Sequence, residues 1–301
     1  MKSSTFIAGD WGTTQLRLFL CHGDSIIDTR SGHGVRALQR SPAEEFASLT
    51  RDWVEQHAVS RAILSGMVGS RNGWIEVPYV SCPVSIADLS RSRHEFVVGP
   101  LTIQIVPGLA CTAPTGAPDV MRGEETQLLG ALQLRSQLAH GRHVIALPGT
   151  HTKWVEIRDG CVERFQTAFT GELFALLKTH STLLATNSPL VDAIDERSFA
   201  EAVSQRSSSL LHRLFEVRSR QLIEHISPAE AAGLLSGLLI GADVDGALEL
   251  LRPDSVSIIC DPTLARRYSQ ALAARNVEAA SLDGDECVLA GLRALAVKDA
   301  A

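Results

Sequence analysis

The chain opens on a short apolar run at 6–8, breaks into the polar stretch DWGTT at 10–14, and resumes with Leu16, Leu18 and Leu20 alternating with Arg17 and Phe19. Period-2 alternation around a polar turn predicts a β-hairpin. The same pattern returns at 144–147, breaks at PGTHTK (148–153) and resumes with Trp154, Val155 and Ile157. Eleven residues separate Gly12 from Gly23, and eleven separate Gly149 from Gly160. A hairpin repeated at one spacing predicts two related lobes, expected at 1–135 and 136–301.

Between the copies, 60–66 and 101–106 read as strands, each after a helical or irregular segment such as Pro42–His57, giving a βα pattern. A helix is expected to open at Gly123, with Glu124 and Glu125 at its start, Leu128, Leu129, Leu132 and Leu138 as its apolar stripe, and an end near 140–141. The second lobe is expected to carry helices around 172–180, 199–215 and 228–251. It then closes with a strand at 256–260, a helix at 264–275 and a strand at 277–282.

Composition narrows the function. At 301 residues, 45% hydrophobic and 21% charged, the chain can form two compact lobes. A net charge of −6 gives no electrostatic reason for nucleic acid or an anionic membrane as partner, so a small molecule is expected instead. The six cysteines show neither CxxC spacing nor a neighbouring histidine cluster, so neither zinc nor a disulfide framework is indicated. No apolar segment of signal-peptide length opens the chain, and the cytoplasm is the expected location. The longest apolar run, 231–242, is interrupted by glycine and serine and is shorter than the roughly 20 residues of a membrane span, so it reads as a buried helix. The oligomeric state is not readable from these residues, with a homodimer as a fair prior.

A tight turn between strands exposes backbone N–H groups, and glycine lets an anion approach the main chain. Gly12 with the hydroxyls of Thr13 and Thr14, and Gly149 with those of Thr150 and Thr152, could therefore hold nucleotide phosphates; for either copy alone a mere hairpin turn is the favoured reading, and two copies at one spacing reverse that preference. Asp10 could hold Mg²⁺ through water. No GxxxxGK[ST] loop, GxGxxG, HExxH or GxSxG occurs, so any ATP chemistry must use the hairpin pair.

The two turns resemble those of the actin, hexokinase and Hsp70 superfamily. DWGTT (10–14), GMVGSRNGW (66–74), VPGL (106–109), DVMRGEETQ (119–127), PGTHTKW (148–154) and TGELF (170–174), in that order, resemble the 2-dehydro-3-deoxygalactonokinase family. The resemblance implies an α/β, two-lobed actin-like ATPase (ribonuclease H-like) fold with a nucleotide cleft between lobes. It implies transfer of the ATP γ-phosphate to the 6-hydroxyl of 2-dehydro-3-deoxy-D-galactonate, a step of galactonate catabolism. Two departures stand out. Asp261 and Pro262 follow 256–260 where superfamily members often carry a glycine-rich turn, and Pro148 stands where many carry an aspartate, leaving Asp10 the only acidic residue of the two turns.

Phosphoryl transfer needs a carboxylate to orient or deprotonate the attacking hydroxyl. Glu124 at the helix start is the first candidate, Asp119 the second and Glu125 the third, with complementing the helix dipole as the alternative for the two glutamates. A substrate carboxylate calls for a cation, for which Arg71 and Arg122 are candidates in their glycine-containing loops. Ser70 and Trp74 could line the substrate, although a loop tryptophan is more often half-buried core, and Lys153 could reach phosphate or substrate, although a strand lysine is usually just solvated. A kinase for another keto-deoxy sugar acid, and a nucleotide-gated binding protein of the same fold, remain open on these residues.

Overall fold

The computed structural model describes residues 5–184, 193–206 and 209–297. The chain divides into two compact units. One comprises Met1–Arg142, Ile157–Arg164 and Gly284–Ala301, the other His143–Glu156 and Phe165–Asp283.

In the first unit, β1 (Thr5–Trp11), β2 (Gln15–His22) and β3 (Ser25–His33) precede α1 (Pro42–His57), β4 (Arg61–Gly66), β5 (Val80–Ser81) and α2 (Ile86–Arg91). They are followed by β6 (His94–Val98), β7 (Leu101–Ile105), β8 (Leu109–Thr112), β9 (Pro118–Met121) and α3 (Glu124–Leu134). The main sheet runs β3-β2-β1-β4-β7-β6, with β4 parallel to β1 and β7 and the other pairs antiparallel. A smaller sheet has the order β5-β8-β9.

The alternation seen in the sequence becomes burial here. Leu16, Leu18 and Leu20 pack with Ile7, Trp11, Phe46, Trp53, Leu64, Ile103 and Ile105 in one apolar cluster. Burying each such side chain is favourable by about 1.5–3 kcal/mol. Helix α1 starts where local chemistry dictates: Ser41 and Glu44 form a reciprocal capping box with Pro42 at the first turn, and Ala58 ends the helix at φ 48°. The register sets Asp10 beside Ser65 and Trp11 beside Gly66, at the ends of β1 and β4.

The second sheet has the order β12-β11-β10-β13-β14, built from β10 (Arg142–Leu147), β11 (Thr152–Arg158), β12 (Cys161–Ala168), β13 (Ser255–Cys260) and β14 (Glu278–Asp283). Between β12 and β13 come α4 (Thr170–His180), α5 (Glu196–Ser204), α6 (Leu210–Ile223) and α7 (Pro228–Leu251), and α8 (Pro262–Ala273) joins β13 to β14. Residues 231–241 of α7 are all buried, as expected of a helix apolar on every side. Among the described residues no helix is long and apolar enough to cross a membrane.

Three expectations change. The single helix at 199–215 is instead two, α5 ending at Ser204 and α6 beginning at Leu210; Ser207 and Ser208 lie outside the described residues. Helix α3 stops at Leu134, because Arg135 turns out of helical geometry at φ −133° and a 3₁₀ turn takes over at Ser136–Ala139. A last helix that the pattern did not predict, α9 (Gly284–Val297), packs along α3 in the first unit. Two glycines allow that approach: a Cβ on Gly130 would run into the backbone of Cys287, and one on Gly291 into that of Thr126. All six cysteines are free thiols.

Candidate active site

In the first unit the DWGTT turn is clamped by a segment that sequence patterns did not single out. Val35 N–H donates to Gly12 O (3.0 Å), Arg36 N–H to Thr13 O (3.0 Å) and Gly34 N–H to Thr14 O (3.1 Å). Gly34 is required there, since a Cβ would collide with the Thr14–Gln15 peptide. A trans peptide sets its C=O and N–H on opposite sides. With three successive carbonyls turned toward 34–36, the amides of Thr13, Thr14 and Gln15 point the other way. Such N–H groups can cradle an anion. The Thr13 side is half-buried and Thr14 is exposed.

Asp10 stands just before this cradle. Its Oδ2 accepts from Arg17 Nη2 at 2.7 Å, and Arg17 also pairs with Asp285 at the start of α9. Gly66 ends β4 at φ 91°, and a Cβ there would lie 2.7 Å from Trp11 O and 3.4 Å from Asp10 Oδ1. Gly123, at φ 109°, comes so near that its Cβ would lie 3.4 Å from Gly66 Cα. The two glycines thus bring the start of α3, with Glu124 and Glu125, against the ends of β1 and β4.

The two glutamates differ. Glu124 Oε2 accepts from Arg122 N–H at 3.0 Å on a partly exposed residue. Glu125 is fully buried, accepting from Gly123 N–H at 2.6 Å and Thr126 Oγ1 at 3.1 Å. Burial, reinforced by the neighbouring Glu124 charge, pushes its carboxyl up to about 8. Glu125 therefore pins the helix start as a neutral group. Asp119 sits on β9, its Oδ1 accepting from Val120 N–H at 2.7 Å.

Arg122 ties its own stretch to Gly69 of the 66–74 stretch and to Val77 and Tyr79 just beyond it. Its Nη2 donates to Val77 O at 2.7 Å, its guanidinium lies 4.4 Å from the centre of the Tyr79 ring, and Gly69 leaves room for Nη1. Its Nε and Nη1 are buried without a hydrogen-bond partner among the described residues, and so is Ser65 Oγ. Buried donors are nearly always paired, so two orphaned guanidinium nitrogens mark a place for an acceptor. Arg71 is exposed, and Ser70 Oγ donates to Met67 O within its own turn. Trp74 packs its ring against Trp11, Phe46 and Phe96, at centroid distances of 6.2, 5.5 and 5.3 Å.

In the second unit the PGTHTK turn has the same construction on a different support. Glu172 N–H, in the first turn of α4, donates to Thr150 O at 2.9 Å, and Gly171 lies so close to Gly149 O that no Cβ fits. The carbonyls again face the protein, and the amides of Thr150 and His151 face away. His151 Nε2 is 2.6 Å from Glu172 Oε2, and its ring stacks on Phe169 at 5.2 Å. The Thr152 hydroxyl turns inward to Tyr268 OH at 2.9 Å, and Lys153 is buried with Nζ 3.4 Å from His151 O. The sequence singled out the TGELF stretch without a role; here it is the floor of the turn.

Among the described residues no group of three or more His, Cys, Asp or Glu could cage a metal. One carboxylate with a single oxygen committed to Arg17 suits a hydrated cation arriving with phosphates, which keeps most of its water.

The profile of the family described as 2-keto-3-deoxy-galactonokinase matches residues 10–295. The chain is 34% identical over 297 residues to the 2-dehydro-3-deoxygalactonokinase of Escherichia coli (strain K12), covering 98% of each chain. It resembles, at a TM-score of 0.86 and 33% identity, a solved structure from Sinorhizobium meliloti provisionally named a 2-dehydro-3-deoxygalactonokinase, covering 98% of this chain and 99% of that one. Component A of the (R)-2-hydroxyglutaryl-CoA dehydratase of Acidaminococcus fermentans shares the fold alone, at a TM-score of 0.51 and 13% identity over 98% and 97% of the two chains. The fold is of the two-lobed actin-like ATPase class expected from the two hairpins, and the chain belongs to the 2-keto-3-deoxy-galactonokinase family.

Proposed function

We propose that this chain transfers the γ-phosphate of ATP to the 6-hydroxyl of 2-dehydro-3-deoxy-D-galactonate. The reading is carried by the hold on the carbonyls of the turns at 12–15 and 149–152, three by hydrogen bonds in the first and Thr150 O in the second with Gly149 O close against Gly171, which leaves the following amides facing outward. Each is a phosphate cradle in its own unit. Magnesium carried with the nucleotide would neutralise phosphate charge, and Asp10 would be the carboxylate to order its water. Arg17 keeps Asp10 Oδ2 occupied and leaves Oδ1 for that role.

Arg122 supports an acidic acceptor substrate, because among the described residues its Nε and Nη1 each lack a hydrogen-bond partner. A substrate carboxylate meeting Nη1 would make a charge-assisted bond there. Glu124 is the proposed base for the 6-hydroxyl, since it opens α3 two residues after Arg122, whose backbone N–H it accepts from, while Glu125 is buried as the neutral member of the pair.

The test is ADP release with a panel of sugar acids, including the gluconate epimer, each supplied with ATP and Mg²⁺. Turnover with the galactonate-derived acid well above the others supports the proposal. Equal turnover across the panel removes the substrate assignment. ATP binding without turnover on any acid favours a nucleotide-gated binding protein instead.

A further inference from the structure

Asp243, on α7, is a carboxylate that the proposed chemistry does not use. Its Oδ1 accepts from Trp154 Nε1 at 2.8 Å, and its Oδ2 accepts from Thr170 Oγ1 at 2.7 Å and from Tyr268 OH at 2.5 Å. Tyr268 OH in turn lies 2.9 Å from Thr152 Oγ1. Since the Tyr268 proton goes to Asp243, the Thr152 hydroxyl is the donor to Tyr268. The two hydroxyls therefore donate in one direction, Thr152 to Tyr268 and Tyr268 to Asp243, whose carboxylate also accepts from Thr170 and Trp154.

The donors flank the second phosphate turn. Thr152 and Trp154 lie on the strand that leaves it. Thr170 is the first residue of α4, whose next two residues press against Gly149 O and donate to Thr150 O. One side chain from α7 thus ties down both the strand after the turn and the helix beneath it. We propose that Asp243 is the positioning residue of the 149–152 cradle, fixing the direction of its outward amides for the nucleotide phosphates. This rests on the reading of that turn as a phosphate site.

The test compares the whole protein with its Asp243→Ala, Asp243→Asn and Tyr268→Phe variants. A Phe199→Leu control perturbs the same apolar cluster as Trp154 and Tyr268. The readouts are the Kd for MgATP, the KM for the sugar acid, and amide exchange of the 148–154 and 169–173 segments in the ligand-free protein. Asp243→Ala is expected to weaken MgATP binding by about tenfold, the equivalent of one to two lost hydrogen bonds. Exchange of both segments should speed up and the sugar-acid KM should stay unchanged. Asp243→Asn should recover most of the affinity, because an amide still accepts from Trp154 and the hydroxyls can reverse to meet its NH₂ group.

Wild-type MgATP affinity in Asp243→Ala overturns the proposal. An equal loss of affinity in Phe199→Leu at matched Tm also overturns it, since general softening of the unit would then suffice. If Asp243→Ala does not fold, Tyr268→Phe decides: a weaker shift in the same direction supports the proposal, and none overturns it. Failure of the wild-type protein to bind MgATP would instead sink the functional reading, and the exchange rates alone would then judge whether Asp243 orders the turn.

Discussion

Arg17 Nη2 stands 2.7 Å from Asp10 Oδ2, and the two residues are directly paired across the β1–β2 ladder. Burial works against the Arg17 charge, but its bonds to Asp10 and Asp285 outweigh that and hold its pKa above the ordinary value. The pair fixes the direction of the Asp10 carboxylate. Asp10→Asn keeps the shape and the acceptor for Arg17 while losing the charge. Turnover should fall by about 10²-fold, the scale of several kcal/mol of charge stabilisation, with little change in Tm. A kcat within a few fold of wild type would reduce Asp10 to a turn residue.

Glu125 makes stability depend on pH. Its folded pKa, about 8, lies above the ordinary 4.5, so between these values the folded state binds more protons than the unfolded one. Stability contributed by the neutral carboxyl is complete below 4.5 and is lost as pH rises toward 8, at a limiting slope of about 1.4 kcal/mol per pH unit. Glu125→Gln removes that slope. Urea unfolding at pH 5.5 and 8.5 should show wild type losing more stability than Glu125→Gln over this range; equal losses would mean that Glu125 is ionised in the folded protein.

The base assignment separates by kinetics. Glu124→Gln should lower kcat by about 10² to 10⁴ with little change in either KM, because the lost interaction belongs to the transition state. Asp119→Asn should be milder, since Asp119 sits on β9 four residues before Gly123. The reverse ordering would transfer the role to Asp119.

Arg122 offers an unusual combination. Among the described residues its Nε and Nη1 have no hydrogen-bond partner, but Arg122→Met also removes the bond to Val77 O and the contact with Tyr79, so only a modest fall in Tm is expected. The same change should raise the sugar-acid KM by roughly 10- to 100-fold, the worth of charge-assisted bonds, and leave the ATP KM alone. A lower Tm with unchanged KM values would make Arg122 a packing residue held by Val77 and Tyr79.

What the sequence revealed follows from what is local. The two hairpins, α1 with its Ser41–Glu44 box, the helix start after Gly123 and the buried α7 all carry their signals within a few residues. The clamp of Gly34, Val35 and Arg36 on the first turn does not, because a backbone-to-backbone contact twenty residues away leaves only a glycine as its mark. The inward turn of the Thr152 hydroxyl and the convergence on Asp243 depend on α7 and α8, far along the chain. Strand β3 was missed for a simpler reason: Ser25–Asp28 and Arg30 carry polar or exposed side chains with little alternation to read. Helix α9 went unread although its sequence is apolar, since nothing in the pattern ties it to α3.

The most direct measurement is a phosphorus NMR time course on the protein with ATP, Mg²⁺ and 2-dehydro-3-deoxy-D-galactonate. The expected result is loss of the γ-phosphate resonance with growth of a phosphomonoester signal coupled to the two protons on C6. A phosphoester on another carbon, release of inorganic phosphate alone, or an unchanged ATP spectrum would contradict the account.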